Sequence, residues 1–381
     1  MGKLHSLLGG ISILVTAVLQ AQVPVTVKGT LPEEIHETSG LVLLGNRLIT
    51  HNDSGNPPIL YELDTATLQV VRQVEVAGVV NRDWEDLAVD ETYLYVGDFG
   101  NNAGMRTDLQ VLRIALADFR SSQTVNAEVI AFAYEDQTDF SGGGNSDWDA
   151  EAMVVRGDSL LVFTKQWQTQ GTVAYSLPKT PGTHMARRQA QYAVGGLITG
   201  ATREPSGGLV LLGYSAQLQP FLLRVPELST PFTFPDGSQR ESLQLPFGQT
   251  EGITSGPDGE LYISSESFSN ALIQLQASLF VVEVPEEPTP PDEGNPDPED
   301  DPAPELRLYR PLDSPELRYV WEGEQTFLAH AVFDTAGRQV LFESAPAAEP
   351  GRIDVSGLRT AVYYLTLYLR GKTLSKPFLR Y

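Results

Sequence analysis

Asp83-Trp84-Glu85-Asp86-Leu87-Ala88, followed by Tyr93-Leu94-Tyr95-Val96-Gly97-Asp98-Phe99-Gly100-Asn101-Asn102, decides the reading of this chain. A short apolar strand led by carboxylates meets a turn at Asp90-Glu91. A second strand then alternates to Val96 and ends in a loop of Asp, Gly and Asn. Two runs of β-formers around a tight turn make a hairpin, with the polar groups gathered at one end.

The unit recurs. Thr38-Ser39-Gly40-Leu41-Val42 leads to Arg47 through Gly55, and Ala150-Glu151-Ala152-Met153-Val154 leads to Leu160 through Lys165. Ile198-Thr199-Gly200-Ala201-Thr202 leads to Leu209 through Tyr214, and Thr250-Glu251-Gly252-Ile253-Thr254 leads to Glu260 through Glu266. Aligned on positions 39, 85, 151, 199 and 251, the steps are 46, 66, 48 and 52 residues. Steps of roughly 40–50 residues with several strands each are the signature of propeller blades. The expected fold is therefore all-β: a β-propeller over 22–284, with five blades by the count of copies and six if one blade has lost the motif. Strands at Leu41–Leu44, Leu48–His51, Ile59–Leu63 and Val70–Val76 make up a first blade. The long second step is taken up by a loop from Glu135 to Asp147 containing Ser141-Gly142-Gly143-Gly144-Asn145-Ser146. The run Val23–Lys28 is left over, and pairing with the last blade would close the ring and protect its edges.

The flanks are of another kind. Residues 1–21 carry Lys3, an apolar run from Ile11 to Leu19, and Ala21. That is the pattern of a secretory signal peptide, too short to span a bilayer. Pro285 to Pro304 has proline every second or third residue among carboxylates, and reads as an acidic, extended linker. With no cysteine in the chain, an exported protein would rest on burial rather than disulfides. Residues 22–282 hold 15 Lys+Arg against 31 Asp+Glu. An acidic body with no basic stripe argues against nucleic acid and favours cations or neutral polar ligands such as sugars.

Past the linker, residues 305–381 alternate as a small β unit. Asp334-Gln339-Val340, Ile353 to Leu358, Ala361-Val362-Tyr363 and Lys376-Pro377-Phe378 resemble the turn, Ile-Asp-Leu-Ser-x-Leu step, Gly-Val-Tyr strand and closing Lys-Phe strand of C-terminal sorting domains of the type IX secretion system of Bacteroidetes. Ala361 replaces the usual glycine, and Tyr309-Arg310-Pro311-Leu312 departs from the usual opening. The resemblance implies an immunoglobulin-like β-sandwich, the type IX machinery as partner, and a secreted or outer-surface location. Ser39-Gly40-Leu41, His51 to Asn56, Asp83 to Asp86 and Gly97 to Asn102 also look like secreted Bacteroidetes propellers of uncharacterised function. Glu251-Gly252-Ile253 is distantly similar to the gluconolactonase and senescence-marker propellers, which implies a cation at the channel mouth.

First strands of propeller blades line one channel, so Glu85, Glu151 and Glu251 should converge, with Ser39 and Thr199 completing the ring. Thirteen residues further on come Asn52, Asp98, Thr164 and Ser264, with Lys165 and Glu266 adjacent and His51 and Asp53 flanking Asn52. Converging carboxylates repel unless a cation or a lysine lies among them. Such oxygens suit Ca²⁺, whereas five histidines and no cysteine do not suggest zinc. Asp83, Asp86, Asp147 and Asp149 are expected as ties to backbone N–H groups, Trp84 and Trp148 as packing between blades, and His51 as a surface hydrogen-bonding residue. Two functions remain open: binding of an extracellular glycan, peptide or matrix component, Ca²⁺-dependent if the glutamates hold an ion, or hydrolysis of a lactone, phosphate ester or glycoside. No nucleophile motif is present, so no catalytic residue is assigned.

Overall fold

The structure, a computed structural model, describes residues 23–245, 248–269, 274–282, 306–309, 316–321, 327–334, 339–344, 351–359, 361–369 and 372–380. The expected signal peptide, the acidic linker and the Tyr309–Leu312 opening lie wholly or mostly outside them. The chain divides into two compact units, Met1–Val284 and Pro285–Tyr381.

The first unit is nearly all β. Its antiparallel four-strand groups are Thr38–Leu44, Arg47–Asn52, Ile59–Asp64 and Val70–Val76; then Trp84–Val89, Tyr93–Asp98, Gln110–Ala115 and Glu128–Tyr134; then Asp149–Arg156, Ser159–Lys165, Thr172–Pro178 and Gly182–Tyr192; then Leu197–Arg203, Leu209–Tyr214, Pro220–Val225 and Gln239–Ser242. The last group joins Thr250–Ser255, Leu261–Ser265 and Ser278–Val282 to the N-terminal strand Thr26–Thr30. That strand pairs antiparallel with Ser278–Val282, Thr26 opposite Val281 and Thr30 opposite Ser278. The N-terminal strand therefore does pair with the edge of the last group, but it spans Thr26–Thr30 and not Val23–Lys28. Two groups fuse into one eight-stranded sheet because their outer strands, Glu128–Tyr134 and Gly182–Tyr192, run parallel and hydrogen-bond. A short helix, Leu116–Ser121, and a two-residue strand, Thr124–Val125, add an insertion that the repeat pattern does not announce. Thr124–Val125 pairs with Val70–Val76 of the preceding group.

Burial explains the sequence pattern. Each group is covered on both faces, so its middle strands read as continuous apolar runs rather than as clean alternation. In Leu160-Leu161-Val162-Phe163, Leu160 and Val162 enter the cluster shared with the second group, while Leu161 and Phe163 enter the cluster shared with the fourth. Equivalent clusters join the first group to the second, the fourth to the fifth, and the fifth back to the first. The first strands follow the same cycle, each lying against the next and Thr250–Ser255 returning to Thr38–Leu44. This is a propeller-like ring.

In the second unit, Leu306–Tyr309, Glu316–Trp321 and Arg352–Asp354 make one sheet. Phe327–Asp334, Gln339–Ser344, Ala361–Leu369 and Lys372–Arg380 make another. Leu317, Tyr319 and Ile353 from the first share a buried cluster with Val332, Tyr363, Leu365 and Leu367 from the second.

The interlocked clusters make cooperativity testable. Phe163 is fully buried and meets Phe232 edge to face at 5.6 Å. Phe163→Ala should lower unfolding free energy by about 3–5 kcal/mol, the usual range for emptying a packed aromatic site. Urea unfolding of residues 22–284 checks this; a loss below about 1 kcal/mol would show that the site collapses or is loosely packed.

Candidate functional site

All five first strands carry a bulge near their N-terminal end. The register jumps between Ser39 and Leu41, Trp84 and Asp86, Ala150 and Ala152, Ile198 and Gly200, and Thr250 and Gly252. The extra residues are thus Gly40, Glu85, Glu151, Thr199 and Glu251. A bulge re-aims a side chain and bends its strand, and here it recurs at one equivalent position around the ring. Gly40, not Ser39, fills that position in the first group. The partner of the residue before the bulge is His51, Asp98, Thr164, Gly213 and Ser265 in turn. Asn52 and Ser264 are therefore each displaced one place from the register that counting thirteen residues suggests, because loop lengths differ between copies.

Glu85, Glu151, Glu251 and Lys165 are all buried. Lys165 Nζ lies 3.1 Å from Glu151 Oε1 and over the rings of Trp167 and Tyr214, at 4.8 and 5.5 Å. Burial alone would pull its ammonium down, but Glu151 and Glu251 outweigh burial and hold it well above its ordinary value. The lysine is a fixed positive charge. One oxygen each from Glu85, Asp149 and Glu151 lies within 4.8 Å of the others, and the same is true of Asp53, Asp83 and Glu85. Glu85 belongs to both groups. Glu251, expected among the metal ligands, belongs to neither, and one of its oxygens, Oε2, is buried without a partner.

The two groups differ in how their charges are met. Asp149 accepts from the Asn101 N–H at 2.6 Å and from Trp167 Nε1 at 2.8 Å. With Lys165 on Glu151, the Glu85, Asp149 and Glu151 set is largely satisfied from within. Glu85 and Asp83 have no hydrogen-bonding partner for their carboxylates among the described residues, and Glu85 is only 4% exposed. Asp53 receives only the N–H of Ser54. Gly100 makes the room: a Cβ there would come within 2.1 Å of Glu85 Oε1 and 2.5 Å of Asp83 Oδ2. Burial, then Glu151, Asp53 and Asp83, pushes the Glu85 carboxyl well above its ordinary range. Asp83 is pushed up to about 7 by burial and by Asp53 and Asp149.

Other candidates have partners within the fold. Asp98 is fully buried, with Arg106 Nη2 at 3.0 Å and Gln110 Nε2 at 2.9 Å on its two oxygens, so it is a brace and not an open ligand. Asn52 donates from Nδ2 to the Glu34 carbonyl at 2.9 Å. His51, expected at the surface, is fully buried edge-on to Trp84 at 5.5 Å, because its place in the register faces the next group and not solvent. Its Nδ1 meets the Asn52 carbonyl oxygen at 3.0 Å, and burial lowers its pKa to about 4. It stays neutral and part of the packing. Asp86 acts as a tie, accepting the Met153 N–H of the next group at 2.7 Å. Asp147 does the same for Gln168 N at 2.8 Å. Trp84 packs between the first two groups, and Trp148 packs against the cluster between the second and third.

Asp83 and Asp149 join the cluster although the sequence suggested backbone ties alone. A signal was present: each stands two residues before an aligned glutamate, and i and i+2 share a face of extended chain. Glu266 is the other outlying member, its carboxyl pushed up to about 8 by burial, Glu251 and Asp53.

A scan of protein-family models finds none that matches this chain, and a search of curated proteins finds none that is similar. Among solved structures, the chain is similar to that of a streptogramin B lyase, at 11% identity and a TM-score of 0.34, over 68% of this chain and 97% of the other. It is similar to a candidate 6-phosphogluconolactonase from Bacteroides uniformis, at 13% identity and a TM-score of 0.30, over 85% and 86%. It is also similar to a GH43_1 enzyme from Xanthomonas citri, at 12% identity and a TM-score of 0.37, over 67% and 90%. No activity carries across at such identities. The chain's own strands and carboxylates define a nearly all-β, propeller-like protein with an acidic cluster at one end of its first strands.

The shifted carboxyls set a pH dependence. Asp83 and Glu251, each raised to about 7, and Glu266, raised to about 8, bind protons more tightly folded than unfolded. Their contribution is complete below the unfolded carboxylate range and fades as pH rises through about 7 to 8. His51 acts oppositely, losing stability as pH falls from 6.5 towards about 4. Between pH 6.5 and 8.5 only the carboxyl effect operates, so the melting temperature in chelator should fall with rising pH. A flat or rising profile would contradict this arrangement of charges.

Proposed function

We propose that this chain is an exported five-bladed β-propeller that binds an extracellular ligand at its acidic mouth, with a Ca²⁺ ion held by Asp53, Asp83 and Glu85. One observation carries the reading. Three carboxylate oxygens come within 4.8 Å, and the buried one, on Glu85, has no counter-charge or donor of its own. Uncompensated buried carboxylates are costly, and a hard cation with oxygen ligands removes that cost. The space beside Gly100 suits the same set. The cycle of five paired clusters supports five blades.

The two-sheet second unit supports an immunoglobulin-like sandwich, and residues 305–381 act on this reading as a type IX sorting domain. Hydrolysis by the same carboxylates is the second reading, favoured by Asp83, whose raised pKa keeps a proton available near neutrality beside the other acids.

Calcium should raise the melting temperature and chelator should lower it. A ligand bound only to the folded state stabilises by about 2.7 kcal/mol at a hundredfold excess over Kd. Glu85→Gln and Gly100→Ala should abolish the shift without calcium having any effect on the unfolded chain. A wild-type melt indifferent to both calcium and chelator sinks the calcium site.

Export has its own test. Deleting residues 362–381 in a host with type IX secretion should leave the protein in the periplasm. Normal surface display of the shortened chain removes the sorting assignment.

A further inference from the structure

Next to the acidic cluster, and separate from it, lies a cavity of about 420 Å³, within the ~300–1,000 Å³ of small-ligand sites. Its wall includes Asp147 and Trp148, the two residues before Asp149 of the acidic cluster. The glycine loop also lines it. Gly142, Gly143 and Gly144 have φ of +74°, +137° and +80°, a path that other residues rarely follow. A Cβ at Gly142 would come within 2.4 Å of the Met105 side chain, and at Gly143 and Gly144 it is the backbone path alone that favours glycine.

The chemistry of the lining is specific. Trp148 is held by Tyr134, ring centroids 5.6 Å apart, and Tyr134 in turn by Tyr175 at 4.5 Å. The indole is thus a rigid apolar plate, and its Nε1–H has no partner among the described residues. Gln166 is 7% exposed; its Oε1 accepts from Thr169 Oγ1 at 3.0 Å, which leaves its amide N–H groups unpaired beside the cavity. Asp147 uses Oδ1 for the Gln168 and Thr169 N–H groups. Gln168 uses Nε2 for the Asn145 carbonyl at 3.1 Å. Each retains one free acceptor oxygen. The cation at the rim, Arg188, is already taken by Asp136 at 2.9 Å.

Unpaired donors and acceptors thus stand together around one aromatic face, with no uncommitted positive charge. Anions are disfavoured, since residues 22–282 carry 31 acids against 15 bases. Long apolar ligands are disfavoured by the amides and carboxylates. Hydroxyl groups both donate and accept, and the C–H face of a sugar ring offers a flat apolar surface to an indole.

The geometry points to a binding site for a short neutral saccharide between Trp148 and the Gly142–Gly144 loop. The ring lies on the Trp148 indole, and its hydroxyls bond the Gln166 amide, the free Asp147 oxygen and the Gln168 carbonyl. The site rests on the reading of the first unit as an extracellular ligand binder, and it adds to the acidic mouth a second place, with its own ligand class.

The test uses the mature full-length protein on an array of neutral and acidic oligosaccharides, followed by calorimetric titration with the best neutral sugar. Binding to neutral glycans is expected, weakened at least tenfold by Trp148→Ala and at least threefold by Gln168→Ala, with melting temperatures used to confirm folding. Gln168 is exposed, so its variant keeps the test meaningful if Trp148→Ala does not fold. Binding unchanged in the folded variants overturns the site, as does the absence of any neutral glycan ligand. Sugar binding that survives in Glu85→Gln, in a protein showing no calcium shift, would remove the cation reading and leave the saccharide site standing. A calcium shift without sugar binding would do the reverse.

Discussion

Burial of every sheet on both faces is the constraint on which the rest of the first unit depends. A sheet with apolar side chains on each side needs two neighbours, and the only arrangement giving each of the groups two neighbours without an exposed end is a cycle. Leu160 and Val162 on one side and Leu161 and Phe163 on the other show the rule inside a single strand. The N-terminal strand Thr26–Thr30, paired with Ser278–Val282, makes the closure hydrogen-bonded as well as apolar. The chain has no cysteine, so no disulfide assists it.

Closure has a chemical consequence. Bringing the first strands together near one axis also brings together whatever their N-terminal ends carry. The repeated bulge puts Gly40, Glu85, Glu151, Thr199 and Glu251 at equivalent positions, three of them acids. Their repulsion is answered unevenly. Lys165 neutralises Glu151, and Trp167 and the Asn101 N–H bond Asp149, but Asp83 and Glu85 receive nothing comparable. The part of the cluster left unanswered is the part with room beside it, at Gly100.

Packing and chemistry are therefore assigned to different residues of the same short motif. In Asp83-Trp84-Glu85-Asp86, Trp84 fills the contact between two groups and Asp86 ties the strand to the Met153 N–H. Asp83 and Glu85 meet in the acidic cluster. Asp147-Trp148-Asp149 divides its work in the same way between a turn, a cavity wall and the cluster. Neighbouring residues of an extended chain point to opposite sides, which lets one strand serve a core and a site together.

The recurrent hairpin, its spacing and its apolar runs were enough to read an all-β ring of repeats, because strand periodicity and turn residues are local properties. They also pointed to Glu85 and Glu151 as neighbours around one axis, but the same equivalence put Glu251 with them, and it lies outside both carboxylate sets. Loop lengths hid the true register, so Ser39 stood in for Gly40 and Asn52 for His51. Burial was likewise not legible: His51 in a polar stretch looks exposed until the next group is laid against it. Which acids keep a partner was decided by tertiary structure alone, because Arg106 reaches Asp98 and Lys165 reaches Glu151 only once separate strands are packed. Residue types and their period are written along the chain. Counter-charges and open space depend on distances across it.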